Sequence, residues 1–200
     1  MAVIGLSKPY YGIYSATGNA VSYADGASMG KATEANIDIN TTEDNNLYAD
    51  NAIAETDRSF AGGTLALSTD DLSQEVTKVI LGLTENTITG IEGVTDTSVK
   101  ELVYDDTQTT PYLGVGFIIK KKVGGAYKWR AVVLCKVMFS VPADAATTQG
   151  ESIEWQVPDL SATIMRDDSA TRMWKREATF TTEAQAEAYI KARLNITVAA

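Results

Sequence analysis

Apolar and polar residues alternate along much of the chain, and this pattern predicts a mainly β protein. In the segment 32–40 (ATEANIDIN), Ala35, Ile37 and Ile39 alternate with polar residues, as in a strand that buries one face. The segment 62–69 (GGTLALST) alternates in the same way. We therefore expect a strand in each of these two segments.

The residues between these strands, 41–60, are polar and acidic, with apolar residues scattered singly. Hairpin connections usually need only about two to five residues, so this segment is too long for a tight turn. It also has too few apolar residues to bury itself against its own domain. Two interpretations stay open: the segment becomes ordered on a neighbouring subunit, or it is an ordinary surface loop or an edge hairpin of the same sheet.

Two glycines, Gly124 and Gly125, separate two long apolar segments and predict the clearest hairpin of the chain. Glycine readily adopts the positive φ angles that a two-residue turn needs. On the second strand of this hairpin, the odd-numbered residues from Tyr127 to Phe139 are expected to share one buried face. Another hairpin turn is expected at Ala24-Asp25-Gly26. Further strands are expected at 8–14, 99–104, 152–158, 160–165 and 174–180.

Two short helices complete the predicted fold. The segment 68–82 (STDDLSQEVTKVILG) carries an apolar stripe at helical spacing, capping groups between Ser68 and Asp71, and a terminating Gly82. A second helix, from about Thr182 to Leu194, begins with a capping-box sequence. Because no repeat and no linker interrupts the pattern, we expect one domain that spans residues 1–200.

The composition is that of an ordinary globular protein, with 44% hydrophobic and 22% charged residues. No apolar run approaches the roughly 18 residues of a membrane span, and no membrane partner is expected. The N-terminus lacks the basic region and cleavage site of a secretory signal. The single cysteine, Cys135, excludes an internal disulfide framework and fits a reducing compartment.

Charge is distributed unevenly along the chain. Residues 1–110 contain 17 acids and 5 bases, whereas residues 111–200 contain 9 acids and 12 bases. Folding could mix these two halves in space. Alternatively, the chain carries an acidic and a mildly basic surface, which could meet head to tail between copies.

Residue patterns typical of catalysis are missing from the sequence. There is no histidine, which removes the commonest general base and metal ligand. Cys135 lies within an apolar strand, where an inert buried thiol is expected. The acid pairs at 70–71, 105–106 and 167–168 fit capping and turn positions, and none has calcium-loop spacing. We therefore expect no catalytic residue, no metal, no cofactor and no enzyme activity.

One hairpin collects six bases, and two aromatic residues, Tyr127 and Trp129, are interleaved among them. Such a surface could bind nucleic acid. A solvated strand face or hairpin tip is the favoured interpretation, because the whole chain is strongly acidic. The six bases are Lys120, Lys121, Lys122, Lys128, Arg130 and Lys136.

Several long segments, in order, resemble the major tail protein of long-tailed bacteriophages, the subunit of the tail tube. They are IGLSKPYYGIY, SYADGASMGKA, LYADNAIAETDRSFAGGTLALSTDDLS, PYLGVGFIIKKKVGGAYKWRAVVLCKVMFS, GESIEWQVPDLSATIM and TFTTEAQAEAYI. The resemblance covers about residues 4–194, apart from residues 84–106.

This resemblance implies a β-sandwich or split-barrel fold with two short α-helices, one packed on the sheet and one C-terminal. It implies an N-terminal arm (1–7), a long inter-subunit loop (41–60) and a C-terminal tail (195–200). Six subunits would form a ring, and stacked rings would form a tube in the virion tail, assembled in the bacterial host cytoplasm. Double-stranded DNA would pass through the lumen without specific binding. Further expected partners are the tail terminator, tape-measure and distal tail proteins.

The expected inter-subunit contacts lie in the long loop: Leu47, Tyr48, Ile53 and Phe60 as apolar contacts, with Asp50, Glu55 and Asp57 at the rim. We also expect a net negative lumen, with the basic hairpin facing outward or toward acidic surface of a neighbouring subunit. In the alternative arrangement, Lys121 and Arg130 line the channel and are paired with acids there. The alternative function is a carbohydrate-binding or adhesin-like β-sandwich module.

Overall fold

A large antiparallel sheet forms most of the structure. The computed structural model describes residues 2–96, 98–143, 146, 148 and 157–197. Within these residues, eight strands pair in the order β2-β1-β9-β10-β11-β6-β3, with β12 pairing beside β11 on β10. Two further ribbons, β4–β5 and β7–β8, stand apart from this sheet. The elements are β1 (Ala2–Thr17), β2 (Ala20–Ser28), β3 (Ala32–Thr41), β4 (Asn45–Ala49), β5 (Ala52–Asp57), β6 (Phe60–Thr69), α1 (Gln74–Leu81), β7 (Thr84–Thr87), β8 (Lys100–Val103), β9 (Leu113–Val123), β10 (Ala126–Phe139), β11 (Asp159–Met165), β12 (Lys175–Phe180) and α2 (Glu183–Arg193).

The sheet curls around the main hydrophobic core without closing. Strands β1 and β3, near its two ends, approach each other, but in the described part of the chain they do not pair. Helix α1 contributes Ile80 and Leu81 to the core, which also contains Leu65, Phe117 and Leu134 from three strands. The prediction of a mainly β fold with one helix packed on the sheet and one C-terminal helix is confirmed. The sheet is not closed into a barrel.

The opposite face of the sheet is covered by α2. Ala186 and Ile190 of this helix pack with Leu194 against Ile118 and Val133 of the central strands. Thr182 caps the helix as predicted, because its hydroxyl accepts a hydrogen bond from the backbone N–H of Gln185 at 3.3 Å. Burial on both faces explains why the centres of β9 and β10 are almost uniformly apolar.

The hairpin predicted at Gly124 and Gly125 is confirmed, since both residues have positive φ angles, 57° and 83°. The prediction that the odd-numbered residues of β10 share one buried face is wrong beyond Leu134. A register shift between Leu134 and Val137 moves Val137 and Phe139 to the main core, away from the α2 side. In this irregular stretch, the backbone N–H of Cys135 donates to the carbonyl of Trp174 at 2.9 Å.

Residues 2–7 do not form a separate N-terminal arm. They belong to β1 and pair with β9, from Ala2 opposite Lys122 to Ser7 opposite Ile118. At the other end, Asn195 donates a side-chain hydrogen bond to the carbonyl of Tyr23 at 3.0 Å, and Ile196 packs beside α2. The start of the expected C-terminal tail is therefore attached to the domain, and residues 198–200 lie outside the described part.

One predicted turn and one predicted helix cap lie at other residues in the structure. Asp25 and Gly26 form a bulge within β2, where Asp25 has a φ of 47°, and the β1–β2 turn lies at Gly18 and Asn19. Helix α1 is capped by Ser73, not between residues 68 and 71, because residues 68 and 69 belong to β6. Gly82 ends α1 in the left-handed conformation, as predicted. Most of the strand expected at 152–158 lies outside the described residues, and Val157 and Pro158 are not in a strand.

Candidate assembly surface

The segment between β3 and β6 is a β-ribbon. β4 and β5 pair antiparallel, from Asn45 opposite Asp57 to Ala49 opposite Ala52. Asp50 and Asn51 form the turn with φ angles of 51° and 64°. Positive φ angles at both central positions define the two-residue turn whose twist suits a hairpin, and Asp and Asn tolerate this conformation better than most residues. The ribbon thus prolongs the β3–β6 pair beyond the sheet.

The base of the ribbon is fixed by polar contacts. The Arg58 guanidinium donates two hydrogen bonds to the Asp44 carboxylate, at 2.6 and 2.7 Å. This pairing lowers the pKa of the Asp44 carboxyl. The backbone N–H of Thr42 donates to the carbonyl of Ser59 at 2.8 Å, and the N–H of Ser59 donates to the Thr42 hydroxyl at 3.0 Å. These contacts set the direction in which the ribbon leaves the sheet.

Three large apolar side chains of the ribbon are exposed to solvent. Leu47 is 60% exposed, Tyr48 65% and Ile53 54%, and every residue of β5 is exposed. The described part of the segment 91–104 also exposes large apolar side chains beside acids, namely Ile91, Val94, Val99 and Tyr104 with Glu92, Asp96 and Glu101. Exposed apolar groups rimmed by charges are typical of protein–protein contacts. The ribbon is therefore a candidate interaction surface.

The two faces of the ribbon differ in chemistry. Leu47 lies opposite Glu55, and Asp57 lies farther along the same face. Tyr48 and Ile53 lie opposite each other on the other face. Among the described residues, Glu55 and Asp57 have no ion-pair partner within 4.0 Å. We call the face that carries Leu47, Glu55 and Asp57 the acidic face, and the face that carries Tyr48 and Ile53 the apolar face.

Six of the seven expected contact residues lie on the ribbon: Leu47, Tyr48, Asp50, Ile53, Glu55 and Asp57. Phe60 is different, because it is half-buried at the start of β6 and packs against the main core. Its ring stacks on Trp174, and the Arg166 guanidinium donates to its carbonyl at 2.6 Å. Phe60 therefore anchors the ribbon within its own subunit.

The tip of the β9–β10 hairpin also has two unlike faces. On one face, Lys120 lies 4.6 Å from the Tyr127 ring centroid and 5.7 Å from that of Trp129, which are favourable cation–π distances. On the other face, Lys121 lies directly opposite Lys128. Like charges opposite each other destabilise a strand pair.

The second face, which we call the basic face, consists of Lys121, Lys128 and Arg130. In the described part of the chain, none of its three cations forms an ion pair within 4.0 Å. The buried Nε of Arg130 has no hydrogen-bond partner there either. Glu177 on β12 lies near this face, and its pKa is lowered first by its hydrogen bond with Lys175 and then by Arg130 and Lys121. The face retains an excess of positive charge.

Lys136 is separate from this tip, although the sequence groups it with the other bases. Its ammonium donates to the Asp168 carboxylate at 2.7 Å and lies 4.5 Å from the Tyr112 ring centroid. Tyr14 also donates to Asp168, at 2.7 Å, and burial with this bond raises the pKa of Tyr14 to about 12. This cluster ties β1 and β10 to the loop before β12 and has a structural role.

Sequence reasoning kept a hairpin in this segment as one open alternative, but it predicted neither the turn nor the separation of the ribbon from the main sheet. The pattern that could have revealed it is Asp50-Asn51, because such pairs favour the turn of a two-residue hairpin. The flanking segments do not alternate clearly, and β5 contains two acids, Glu55 and Asp57, among its six residues. The low strand propensity of acidic residues made a loop the natural interpretation.

Comparisons with known proteins do not identify a family: no family model matches the sequence, and no curated protein matches it. In the described part of the chain, no helix is both long enough and apolar enough to cross a membrane. The same residues contain no group of three or more Cys, Asp or Glu side chains placed to hold a metal ion. The resemblance to phage tail proteins stays a prediction.

Proposed function

We propose that this protein is a structural subunit of a bacteriophage tail tube, without enzyme activity. It assembles into hexameric rings that stack into a tube in the virion tail, through which the genome is delivered. This proposal rests on the ordered segments that resemble major tail proteins. The observation that carries it is the β4–β5 ribbon, which projects from the sheet and exposes Leu47, Tyr48 and Ile53.

The physical argument concerns what holds such a ribbon in place. An isolated two-stranded ribbon is at best marginally stable in water, and its exposed apolar groups gain free energy when a partner covers them. β4 and β5 pair only with each other in the described residues. Docking on a neighbouring subunit would order the ribbon and bury these side chains.

The open sheet supports the same proposal. The end strands β2 and β3 each have one edge that pairs with no described strand. Unpaired edges favour association with another chain, and repeated head-to-tail contacts either close a ring or continue as a filament. Rings with further contacts along their axis would give a tube.

Negative-stain microscopy and sedimentation velocity over a wide concentration range test this proposal. We expect rings, stacked rings or tubes, with the hexamer as the smallest closed species. Compact monomers at every concentration would contradict the proposal. A stable monomer that binds glycans would instead support the carbohydrate-binding alternative.

A further inference from the structure

We propose that the acidic face of the ribbon docks on the basic face of the β9–β10 hairpin in a second copy of the chain. Glu55 and Asp57 then face Lys121 and Lys128 of the neighbour. This inference rests on the proposed function, because it names the receptor surface for the ribbon of an assembling subunit.

Charge complementarity is the first argument. The ribbon and its base, residues 43–58, carry five acids and one base, and that base, Arg58, is already paired with Asp44. The β9–β10 hairpin contains no acid from Leu113 to Phe139 and six bases, of which five lie near its tip and the sixth, Lys136, is paired with Asp168. In the described structure, the acids of the ribbon face and the cations of the basic face lack ion pairs within their own subunit. Each surface therefore supplies the counter-charge that the other lacks.

Strand pairing gives the second argument. Lys121 and Lys128 lie directly opposite each other at the tip, an arrangement that is unfavourable in an isolated subunit. A carboxylate placed between their ammonium groups would turn this repulsion into attraction. Glu55 and Asp57 are two residues apart on one exposed strand, so both side chains point to the same side and could approach both lysines.

Size and shape give the third argument. The ribbon is a narrow element with Leu47 beside its two free acids, and the tip exposes Val123 on the same face as Lys121. Contact between Leu47 and Val123 would exclude water from the ion pairs. Ion pairs sheltered from water are stronger and less screened by salt than fully exposed ones.

Reversal of the charges on each surface, alone and together, tests the pairing. The ribbon variant is Glu55→Lys with Asp57→Lys, and the hairpin variant is Lys121→Glu with Lys128→Glu. We expect each variant to raise the concentration needed for assembly by about tenfold or more, since close interfacial charge pairs have couplings above about 1.4 kcal/mol. Combining all four substitutions in one chain should restore assembly to within about threefold of the wild type.

A matched control separates this effect from a change in net charge. Glu92→Lys with Glu101→Lys alters the net charge as much as the ribbon variant does, at two exposed acids outside the ribbon. We expect this control to assemble like the wild type. Thermal unfolding followed by circular dichroism should show every variant folded, because the hairpin variant only replaces one like-charge pair with another at the tip of the hairpin.

Cysteine cross-linking tests the contact without changing any charge. We expect Leu47→Cys chains mixed with Val123→Cys chains to form disulfide-linked dimers, whereas Ile53→Cys, on the apolar face, should not cross-link to Val123→Cys. The native cysteine, Cys135, is buried, so the unmodified protein gives the background level of cross-linking.

The outcomes separate this inference from the proposed function. Wild-type protein that never assembles overturns both. Wild-type assembly that tolerates the charge reversals, or reversals that do not rescue each other, overturns the inference and leaves the proposed function standing. Preferential cross-linking of Ile53→Cys overturns the choice of face. Salt-sensitive DNA binding that disappears in the hairpin variant while assembly is unchanged assigns the basic face to nucleic acid and overturns the inference.

Discussion

The rings of Phe60 and Trp174 stack with their centroids 4.7 Å apart and their planes inclined by 6°. Phe60 is the first residue of β6, the strand that follows the ribbon, and Trp174 precedes β12. The stack therefore connects the base of the exposed ribbon to a part of the chain more than a hundred residues away. Phe60 thus holds the ribbon in its own subunit, whereas exposed side chains of the ribbon, such as Leu47, are free to contact a partner. The two kinds of residue have separate roles.

This separation predicts opposite effects for two substitutions. Phe60→Ala should lower the free energy of unfolding by about 2 kcal/mol, because it removes a half-buried aromatic ring and its stacking on Trp174. Leu47→Ala should change stability by less than about 0.5 kcal/mol, because the side chain is exposed, yet it should weaken assembly. Denaturant unfolding and sedimentation measure the two properties. Equal losses of stability would contradict the assignment of Leu47 to a contact surface.

Removal of the ribbon should separate folding from assembly. Replacing residues 45–57 with Asn-Gly keeps the Asp44–Arg58 pair near the new turn. We expect a folded monomer with a nearly unchanged melting temperature, because β4 and β5 pair only with each other in the described structure and shortening a loop costs folding little. The variant should form no rings or tubes.

A control for this variant keeps the ribbon but changes its turn. Asn51→Gly creates an Asp-Gly pair, which favours the positive φ angles of this turn, so the ribbon and assembly should both persist. If the shortened chain fails to fold, the ribbon supports the core and is not principally a contact element.

Local patterns could predict some elements of this fold but not others. The turn at Gly124 and Gly125 depends on two residues that tolerate positive φ angles, so it is visible in the sequence. The same reasoning misplaced a turn at Asp25 and Gly26, where a positive φ angle serves a bulge instead. A bulge and a turn share this local requirement, and only pairing with β1 distinguishes them.

Non-local contacts also decided which side chains of β10 share a face. Strict alternation held from Trp129 to Leu134 and failed where β10 changes its partner from β12 to β11. The hydrogen bond from Cys135 to Trp174 lies at this change. The pairing of β4 with β5 depends on the turn at Asp50 and Asn51, so composition could indicate an acidic segment but not its folded shape.

The Glu187 carboxylate links α2 to β1 and predicts a pH dependence. It is hydrogen-bonded first by Lys191 and also by Lys8 and Tyr10, and these donors lower its pKa from 4.5 to about 2. A pKa lower in the folded state stabilises the fold above pH 4.5, and this contribution disappears as the pH falls toward 2. Glu187→Gln should therefore lower the free energy of unfolding by about 2 kcal/mol at pH 7 and by much less at pH 2.5.

Chemical denaturation at several pH values measures this difference. Tyr10→Phe removes only one of the three donors, so its pH dependence should lie between those of the wild type and Glu187→Gln. A difference between wild type and Glu187→Gln that stays constant from pH 7 to pH 2.5 would show that the carboxylate charge does not stabilise the fold.

Because α2 packs closely on β9, we expect substitutions at Gly116 and Ile190 to have non-additive effects on the free energy of unfolding. A Cβ atom on Gly116 would lie 2.5 Å from Cγ2 of Ile190, which is fully buried. Gly116→Ala should cost about 1–3 kcal/mol through overpacking, and Ile190→Ala about 2–5 kcal/mol through a cavity. Because the new methyl group occupies part of that cavity, the double variant should cost less than the sum. Gly5→Ala, whose Cβ would lie 3.7 Å from its nearest neighbour, is the matched control and should be nearly neutral.

The last prediction concerns DNA, which the proposed tube must pass without retaining. Each phosphate that a protein neutralises adds affinity through counterion release, so a basic lumen would slow the genome. If the ribbon of a neighbour covers Lys121 and Lys128, these half-buried lysines are neutralised in the tube but have no counter-charge in a monomer that lacks the ribbon.

We therefore expect the monomer without residues 45–57 to bind double-stranded DNA weakly at low salt, with the affinity falling by a slope of about 0.9 in log units per contacted phosphate. Adding Lys121→Glu and Lys128→Glu should abolish this binding. Intact wild-type tubes should bind little DNA, and their lumen should carry net negative charge. Fluorescence anisotropy with a short duplex measures DNA binding by the shortened monomer, by its charge-reversed form and by intact tubes. Tight, salt-sensitive binding by intact tubes would instead indicate that Lys121 and Arg130 line the channel.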